Sequence, residues 1–269
     1  MEHTPLISVL MGVYNCADTV EEAIGSIIGQ TVTDWELIIC DDGSSDNTFA
    51  VAQELARREP RIVLIQNKRN IGLAPTLNNC LRIARGTYTA RMDGDDICAS
   101  ERFEKELAVL EADPDCAVVS CDMVSFDQDG IYGVSHYLEK PEKKDLIKRS
   151  PFCHAGCMMR KEILQKLGGY SEAEAVRRME DYDLWFRLYR AGYYGRNIPD
   201  ALYSMRDDRN AFSRRKFRFR LNSSKLKWRI YRSFRPGITS VPHILAPIVK
   251  GLLPEKLYTY LRRKKLHQK

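Results

Sequence analysis

"ELIICDDGSSDNTFAVAQELARREPRIVLIQ", residues 36–66, decides how the chain reads. "ELIICDD" is an apolar run ending in two aspartates, "TFAVAQELARR" has helical periodicity, and "RIVLIQ" is a second apolar, β-branched run. Two such strands separated by a helix form a βαβ unit, which implies parallel pairing. Because "LIIC" is apolar throughout instead of alternating, the sheet is expected to be covered on both faces.

The same alternation extends in both directions. Upstream lie the strand "ISVLMGV" (7–13) and the helix "TVEEAIGSIIGQ" (19–30); downstream lie the helix "LAPTLNNCLRIA" (73–84) and the strand "GTYTARM" (86–92). "SERFEKELAVLEADPD" (100–115) predicts a capped helix ending near Asp113-Pro114, followed by the strand "CAVVSCDMVSF" and the turn "DQDG". Residues 131–160 read as irregular. "EDYDLWFRLYRAG" (180–192) predicts an amphipathic helix closed by Gly192, with Trp185 and Leu188 on its core face. The expected fold class is α/β: a Rossmann-like, mostly parallel central sheet flanked by helices.

Composition bounds the function. With 269 residues and 44% hydrophobic content the chain has enough apolar material for a substantial core. No apolar stretch reaches the length of about 18 residues that a membrane-spanning helix requires. The N-terminal "MEHTPLISVLMGVYN" lacks a basic region before its apolar run and reads as a first strand, so the expected compartment is cytoplasmic. Eight scattered cysteines without a CxxC pair are expected as reduced, buried thiols. Cys153-His154…Cys157 would need a fourth ligand to hold zinc, and none is evident. Residues 214–269 hold 17 Lys/Arg and one acid, a net of +16, which leaves −10 on residues 1–213 out of the overall +6. A catalytic domain at 1–213 and a basic amphipathic extension at 214–269 follow as the expected division.

Ligands of open α/β sheets bind beyond the carboxyl ends of the strands. Two acidic turns fall there: Asp41-Asp42 after "LIIC", and Asp93, Asp95 and Asp96 in "RMDGDD" after "TYTA". Like charges so placed repel unless a cation or hydrogen-bond donors compensate them. A divalent metal suits such carboxylates, and Gly94 is expected to let the backbone turn tightly and a phosphate approach.

"ISVLMGVYN", "SIIGQTVTDWELIICDDGSSDNT", "NKRNIGLAPTLNNCLRIARGTYTARMDGDD" and "MEDYDLWFRL" together resemble glycosyltransferase family 2, inverting sugar transferases of the GT-A fold, over about Leu6 to Arg206. The resemblance implies that Tyr14 and Asp42 hold the base of a nucleotide-sugar, usually uracil. It implies that Asp93 approaches the ribose and metal, and that Asp95 ligates Mn2+ or Mg2+ on the diphosphate with Asp96 in support. Asn70, Gly72 and Asn78 match the loop and helix before the metal strand, and Lys68 or Arg69 would reach the nucleotide. Of Glu180-Asp181, the aspartate matches the catalytic base, and His154 sits where relatives face the acceptor.

The absence of a QxxRW segment favours single addition over processive synthesis, and "YSMRDDRN" departs from the usual Tyr-Arg-x-His, leaving Arg206 without a defined role. The donor implied is a UDP-sugar; the acceptor is a saccharide, expected to be lipid-linked and to belong to cell-surface polysaccharide assembly. The rival readings are a nucleotidyltransferase, which commonly carries a Gly-rich basic loop where this chain has "GVYNCADT", and a non-enzymatic nucleic-acid-binding protein using the tail. No GxGxxG follows the first strand, against a dinucleotide-dependent dehydrogenase. In the tail, Ile244, Leu245, Ile248, Val249 and Leu252 fall on one helical stripe, which a purely electrostatic nucleic-acid arm does not need. The expected partner is therefore an anionic membrane surface, with the protein peripheral on the inner face of the cell membrane and no nucleic acid bound.

Overall fold

The computed structural model describes residues 3–206 and 217–252. Residues 207–216 and 253–269, which include Asp207-Asp208 and the last cationic run of the tail, lie outside the described residues.

The alternation read from the sequence is present: β1 (Ile7–Val13), α1 (Val20–Ile28), β2 (Trp35–Asp41), α2 (Thr48–Arg58), β3 (Ile62–Gln66), α3 (Leu73–Ile83) and β4 (Tyr88–Asp93). β3, β2, β1 and β4 are adjacent and parallel. Their side chains alternate between two cores. Val9, Met11, Leu37 and Ile39 join α1 and α2 on one face. Leu10, Ile38 and Cys40 join α3 on the other. Both faces are covered, so these strands have no polar side to present, which is why "LIIC" is apolar without interruption.

The short β5 (Ile97–Cys98) leads into α4 (Arg102–Ala112) and the long β6 (Cys116–Asp127). α4 carries no side-chain cap from its own segment. Instead the Phe103 amide donates to Gln30 Oε1 at 3.0 Å, so the end predicted to be capped locally is satisfied by the α1–β2 connection.

The region read as irregular contains β7 (Gly130–Ser135), a 3-10 turn at Asp145–Ile147 and β8 (Met158–Arg160). β8 lies between β4 and β6 and runs antiparallel to both, a three-residue seam between the parallel β3-β2-β1-β4 block and a second part of the sheet in which β7 is antiparallel to β6 and β5 is antiparallel to the last strand. α5 (Lys161–Lys166), α6 (Glu180–Arg190) and the thirteen-residue β9 (Tyr194–Arg206) follow, with β9 parallel to β6. Gly192 sits at φ +90° just beyond α6, the left-handed turn expected at a helix end.

Two further helices, α7 (Phe217–Phe234) and α8 (Val241–Leu252), are built from the basic extension. Leu226, Ile230 and Ile244 are buried in the same core as Trp185 and Phe186 of α6. No helix among the described residues is long and apolar enough to cross a membrane. All eight cysteines are free thiols.

Candidate active site

Register places the two acidic turns on either side of β1. Val13 pairs with Asp41 across β2, and Gly12 pairs with Asp93 across β4. This is the point where the strand order departs in both directions from β1, the switch position at which open α/β sheets bind ligands. Tyr14 follows directly and is 48% exposed there.

The buried Asp42 accepts the Ile71 amide at 2.9 Å, the Gly72 amide at 2.8 Å and the Asn67 side-chain amide at 2.9 Å. It thereby fixes the loop carrying Lys68, Arg69, Asn70 and Gly72. Gly43 is required by the same loop: its φ is +69°, and a Cβ there would meet the Arg69 backbone at 2.7 Å. Asp41 turns back on its own loop, accepting from the Ser44 hydroxyl and from Gln66 at 2.9 Å.

The second turn is held from behind. Asp96 is buried and accepts the Tyr203 hydroxyl at 2.8 Å and the Arg206 amide at 2.7 Å. Tyr203 in turn accepts the Asp93 amide at 3.2 Å, so one phenol bridges both ends of the turn. Burial, then the charges of Asp93 and Asp95, push Asp96 up to about 8. Its position is that of a buried support, with Asp93 half-buried and Asp95 exposed ahead of it.

Gly94 also answers a packing requirement. A Cβ would meet the Val13 side chain at 2.7 Å, so the glycine is needed to pack the turn against the end of β1.

The compensating cation demanded by these acids comes partly from the chain itself. Arg91, almost fully buried, donates to Asp93 Oδ1, to the Met92 carbonyl and to the Leu10 carbonyl at 3.3 Å. Arg206 donates through Nε to the Asp95 carbonyl at 3.0 Å and pairs with Glu22, tying β9 and α1 to the turn. Sequence reading overlooked Arg91; the signal was a cation inside an otherwise uncharged strand next to an acid. Tyr203 gave no local signal, because its partner lies 107 residues away.

Asp181 is the second residue of α6. It is half-buried; exclusion of water, then the like charge of Glu180, pushes its carboxyl up to about 6. The buried Tyr170, whose hydroxyl burial pushes up, lies within electrostatic reach of Arg91, Asp93 and Asp181 alike. Asn78 of α3 clamps the Tyr170 backbone, accepting its amide and donating to its carbonyl, each at 2.9 Å. His154 lies 3.2 Å from the Tyr170 hydroxyl and edge-on to Trp185. Burial and the Arg91 charge lower its pKa well below the ordinary range, so it stays neutral. Cys153 beside it is buried, and burial raises its thiol to about 12.

No group of three or more His, Cys, Asp or Glu set to hold a metal occurs among the described residues. Asp93 and Asp95 nevertheless suit a hard divalent ion of the kind held by one or two carboxylates and completed by substrate phosphates. The residues fit an ion that a diphosphate completes.

The family described as Glycosyl transferase family 2 matches residues 8–168. EpsE of Bacillus subtilis (strain 168), a protein described as a glycosyltransferase, is 39% identical over all of this chain and 98% of its own length. The amylovoran biosynthesis glycosyltransferase AmsE of Erwinia amylovora is 28% identical over 96% and 98% of the two chains. Among solved structures, S. aureus TarS 1-349 in complex with UDP-GlcNAc aligns with a TM-score of 0.68 at 19% identity, covering 91% of this chain and 71% of that one. The mannosyltransferase PcManGT from Pyrobaculum calidifontis, in complex with GDP-Man and Mn2+, aligns with a TM-score of 0.67 at 18% identity, covering 98% and 80%.

Proposed function

The chain belongs to glycosyl transferase family 2, is a glycosyltransferase with the GT-A fold, and on that premise we propose that it adds one sugar from a UDP-sugar to a saccharide acceptor with inversion. One observation carries this reading: Asp93 at the carboxyl end of β4 and Asp181 at the start of α6 both lie within electrostatic reach of a single phenol, Tyr170. This supports reading them as the phosphate-side and the proton-accepting carboxylate of one site, although they are 88 positions apart in the sequence.

In this mechanism Tyr14 and the loop held by Asp42 bind the nucleoside, and Arg69 lies alongside it. Asp93 and Asp95 are the residues that would hold Mn2+ or Mg2+, and the ion, when bound, offsets charge growing on the departing diphosphate. Arg91 keeps the Asp93 carboxylate in place. The acceptor hydroxyl oxygen forms its bond to the anomeric carbon as the bond from that carbon to the diphosphate breaks. The hydroxyl proton passes to Asp181, the sugar stays on the acceptor oxygen, and the nucleoside diphosphate departs as UDP. Glu180 adds through its charge to the basicity that burial gives Asp181, and His154 lies on the acceptor side. The acceptor is a lipid-linked saccharide of cell-surface polysaccharide assembly, and residues 214–269 associate with the anionic inner face of the cell membrane. The polysaccharide part rests on relatives such as AmsE.

Two measurements test the reading. In assays with UDP-, GDP- and TDP-sugars, transfer should proceed from a UDP-sugar with release of UDP. EDTA should lower the rate at least about 100-fold, and Mn2+ or Mg2+ should restore it. Release of pyrophosphate, or full activity in EDTA, overturns it. In addition, kcat/KM should fall on the acidic side with a midpoint near pH 6: Asp181 accepts a proton only as a carboxylate, and that form is lost as pH drops through its raised pKa. A profile flat between pH 5 and 7 removes Asp181 from the role.

A further inference from the structure

The sequence places Ile244, Leu245, Ile248, Val249 and Leu252 on one stripe; packing divides it. Ile244 and Pro247 are buried, while Leu245, Val249 and Leu252, at i, i+4 and i+7, face outward and are 55%, 57% and 71% exposed. α7 carries a matching outward stripe of Phe217, Leu221 and Trp228. The two helices pack together beside these stripes, where a Cβ on Gly251 would lie 3.1 Å from the Phe217 ring. Lys225 and Arg232, both exposed, lie one turn either side of Trp228. Across residues 217–252 there are eight Lys/Arg and no acid.

This hairpin is not a loose arm. Lys227 Nζ donates to the carbonyls of Ile147 at 2.7 Å and Lys148 at 3.3 Å. Arg229 lies 3.6 Å from Asp183, and the Asn222 amide reaches the Glu174 carbonyl at 3.2 Å. Phe234 packs edge-on to Phe186, ring centroids 5.6 Å apart. Every one of these contacts falls on α6 or on a segment close to it in the fold, and Asp183 is two residues from Asp181. α1, α2 and α4 pack on the opposite face of the sheet.

We propose that the α7–α8 hairpin seats on an anionic lipid surface through these two apolar stripes, and that its anchorage to α6 turns the Asp181 side of the site toward that surface. The inference rests on the lipid-linked acceptor proposed above and adds the docking face and its orientation. Charge complementarity selects the occupant: an acid-free cationic surface attracts anionic headgroups, and the exposed Leu, Val, Phe and Trp side chains enter the acyl boundary. A phosphate-binding arm for nucleic acid gains nothing from Leu245, Val249 and Leu252.

Trp228 makes the test direct, since Trp35 and Trp185 are 2% and 0% exposed while Trp228 is 50% exposed. With full-length protein, phosphatidylglycerol-rich vesicles should shift the tryptophan emission to the blue; pure phosphatidylcholine vesicles should not, and Trp228→Phe should abolish the shift. Leu245→Asp/Val249→Asp, both at exposed positions, should lower co-flotation at least about ten-fold while thermal melting and UDP binding by calorimetry stay unchanged. On vesicles, amide exchange should slow in α7 and α8 and stay unchanged in α1 and α2. Absence of the blue shift, equal binding to neutral vesicles, or slowed exchange confined to α1 and α2 overturns the proposal. Retention by duplex DNA that survives Leu245→Asp/Val249→Asp overturns it in favour of nucleic acid. Flotation without UDP uptake would instead sink the transferase reading and leave the lipid-docking face standing.

Discussion

Asp181→Asn is expected to lower turnover at least about 1,000-fold while UDP binding persists, the loss typical of removing a positioned general base. The substitution conserves shape, and losing an acid from the first turn of α6 costs only about 0.3–1 kcal/mol of helix-dipole stabilisation. What it removes is the ability to take a proton. Partial burial, then the like charge of Glu180, pushes the Asp181 carboxyl up to about 6. It is thus a better proton acceptor than a solvated aspartate and still ionised at neutral pH. Glu180→Gln supplies the contrast. With that charge gone, Asp181 should ionise more readily, moving the acidic limb of kcat/KM below 6 while turnover is largely kept. Near-normal turnover in Asp181→Asn would show that another group accepts the proton.

The second large effect concerns stability. Arg102 and Glu106 of α4 form an ion pair at 3.2 Å in which both side chains are 0% exposed. The guanidinium also donates to the Cys157 carbonyl and lies 5.5 Å from the Tyr203 ring, behind the acidic turn. Arg102→Met strands the carboxylate and should cost about 3–5 kcal/mol, the range for breaking a buried pair from one side. For a domain of this size that corresponds to a melting point lower by roughly 10 °C. Replacing both partners, Arg102→Met with Glu106→Leu, should recover most of the loss, since no uncompensated charge remains.

The pH dependence has a definite sign. Burial raises Glu106 to about 7 from an ordinary 4.5, Arg102 opposing the shift. The folded chain therefore holds that proton more tightly than the unfolded chain, and the penalty grows as pH rises from about 4.5 toward 7. Loss of Arg102 removes the opposing charge, so the deficit in Arg102→Met should be larger at pH 8 than at pH 6. A deficit under about 1 kcal/mol, equal at both pH values, would mean that water reaches Glu106.

The contrast between these two carboxylates shows what a sequence can reveal. Asp181 stands out as a candidate because an acid at a helix start sits in a segment resembling a known family. Glu106 looks like any helical glutamate, and only the packing of α4 against β6 and β8 removes it from water. β8 was missed for a related reason: three residues are too few to show a period, and their strand character comes from β4 and β6 on either side.

By itself the sequence determined the order of strands and helices from Ile7 to Asp93, because the period of apolar residues records which side of each element faces protein. It also determined that acids cluster where parallel strands end. Tertiary structure alone decided that Arg91 and Tyr203 brace those acids, that Tyr170 comes within electrostatic reach of both Asp93 and Asp181, and which half of the α8 stripe faces outward. Those outcomes depend on contacts between residues far apart in the chain, and hydrophobic periodicity is a local property that carries no information about which distant surface a side chain will meet.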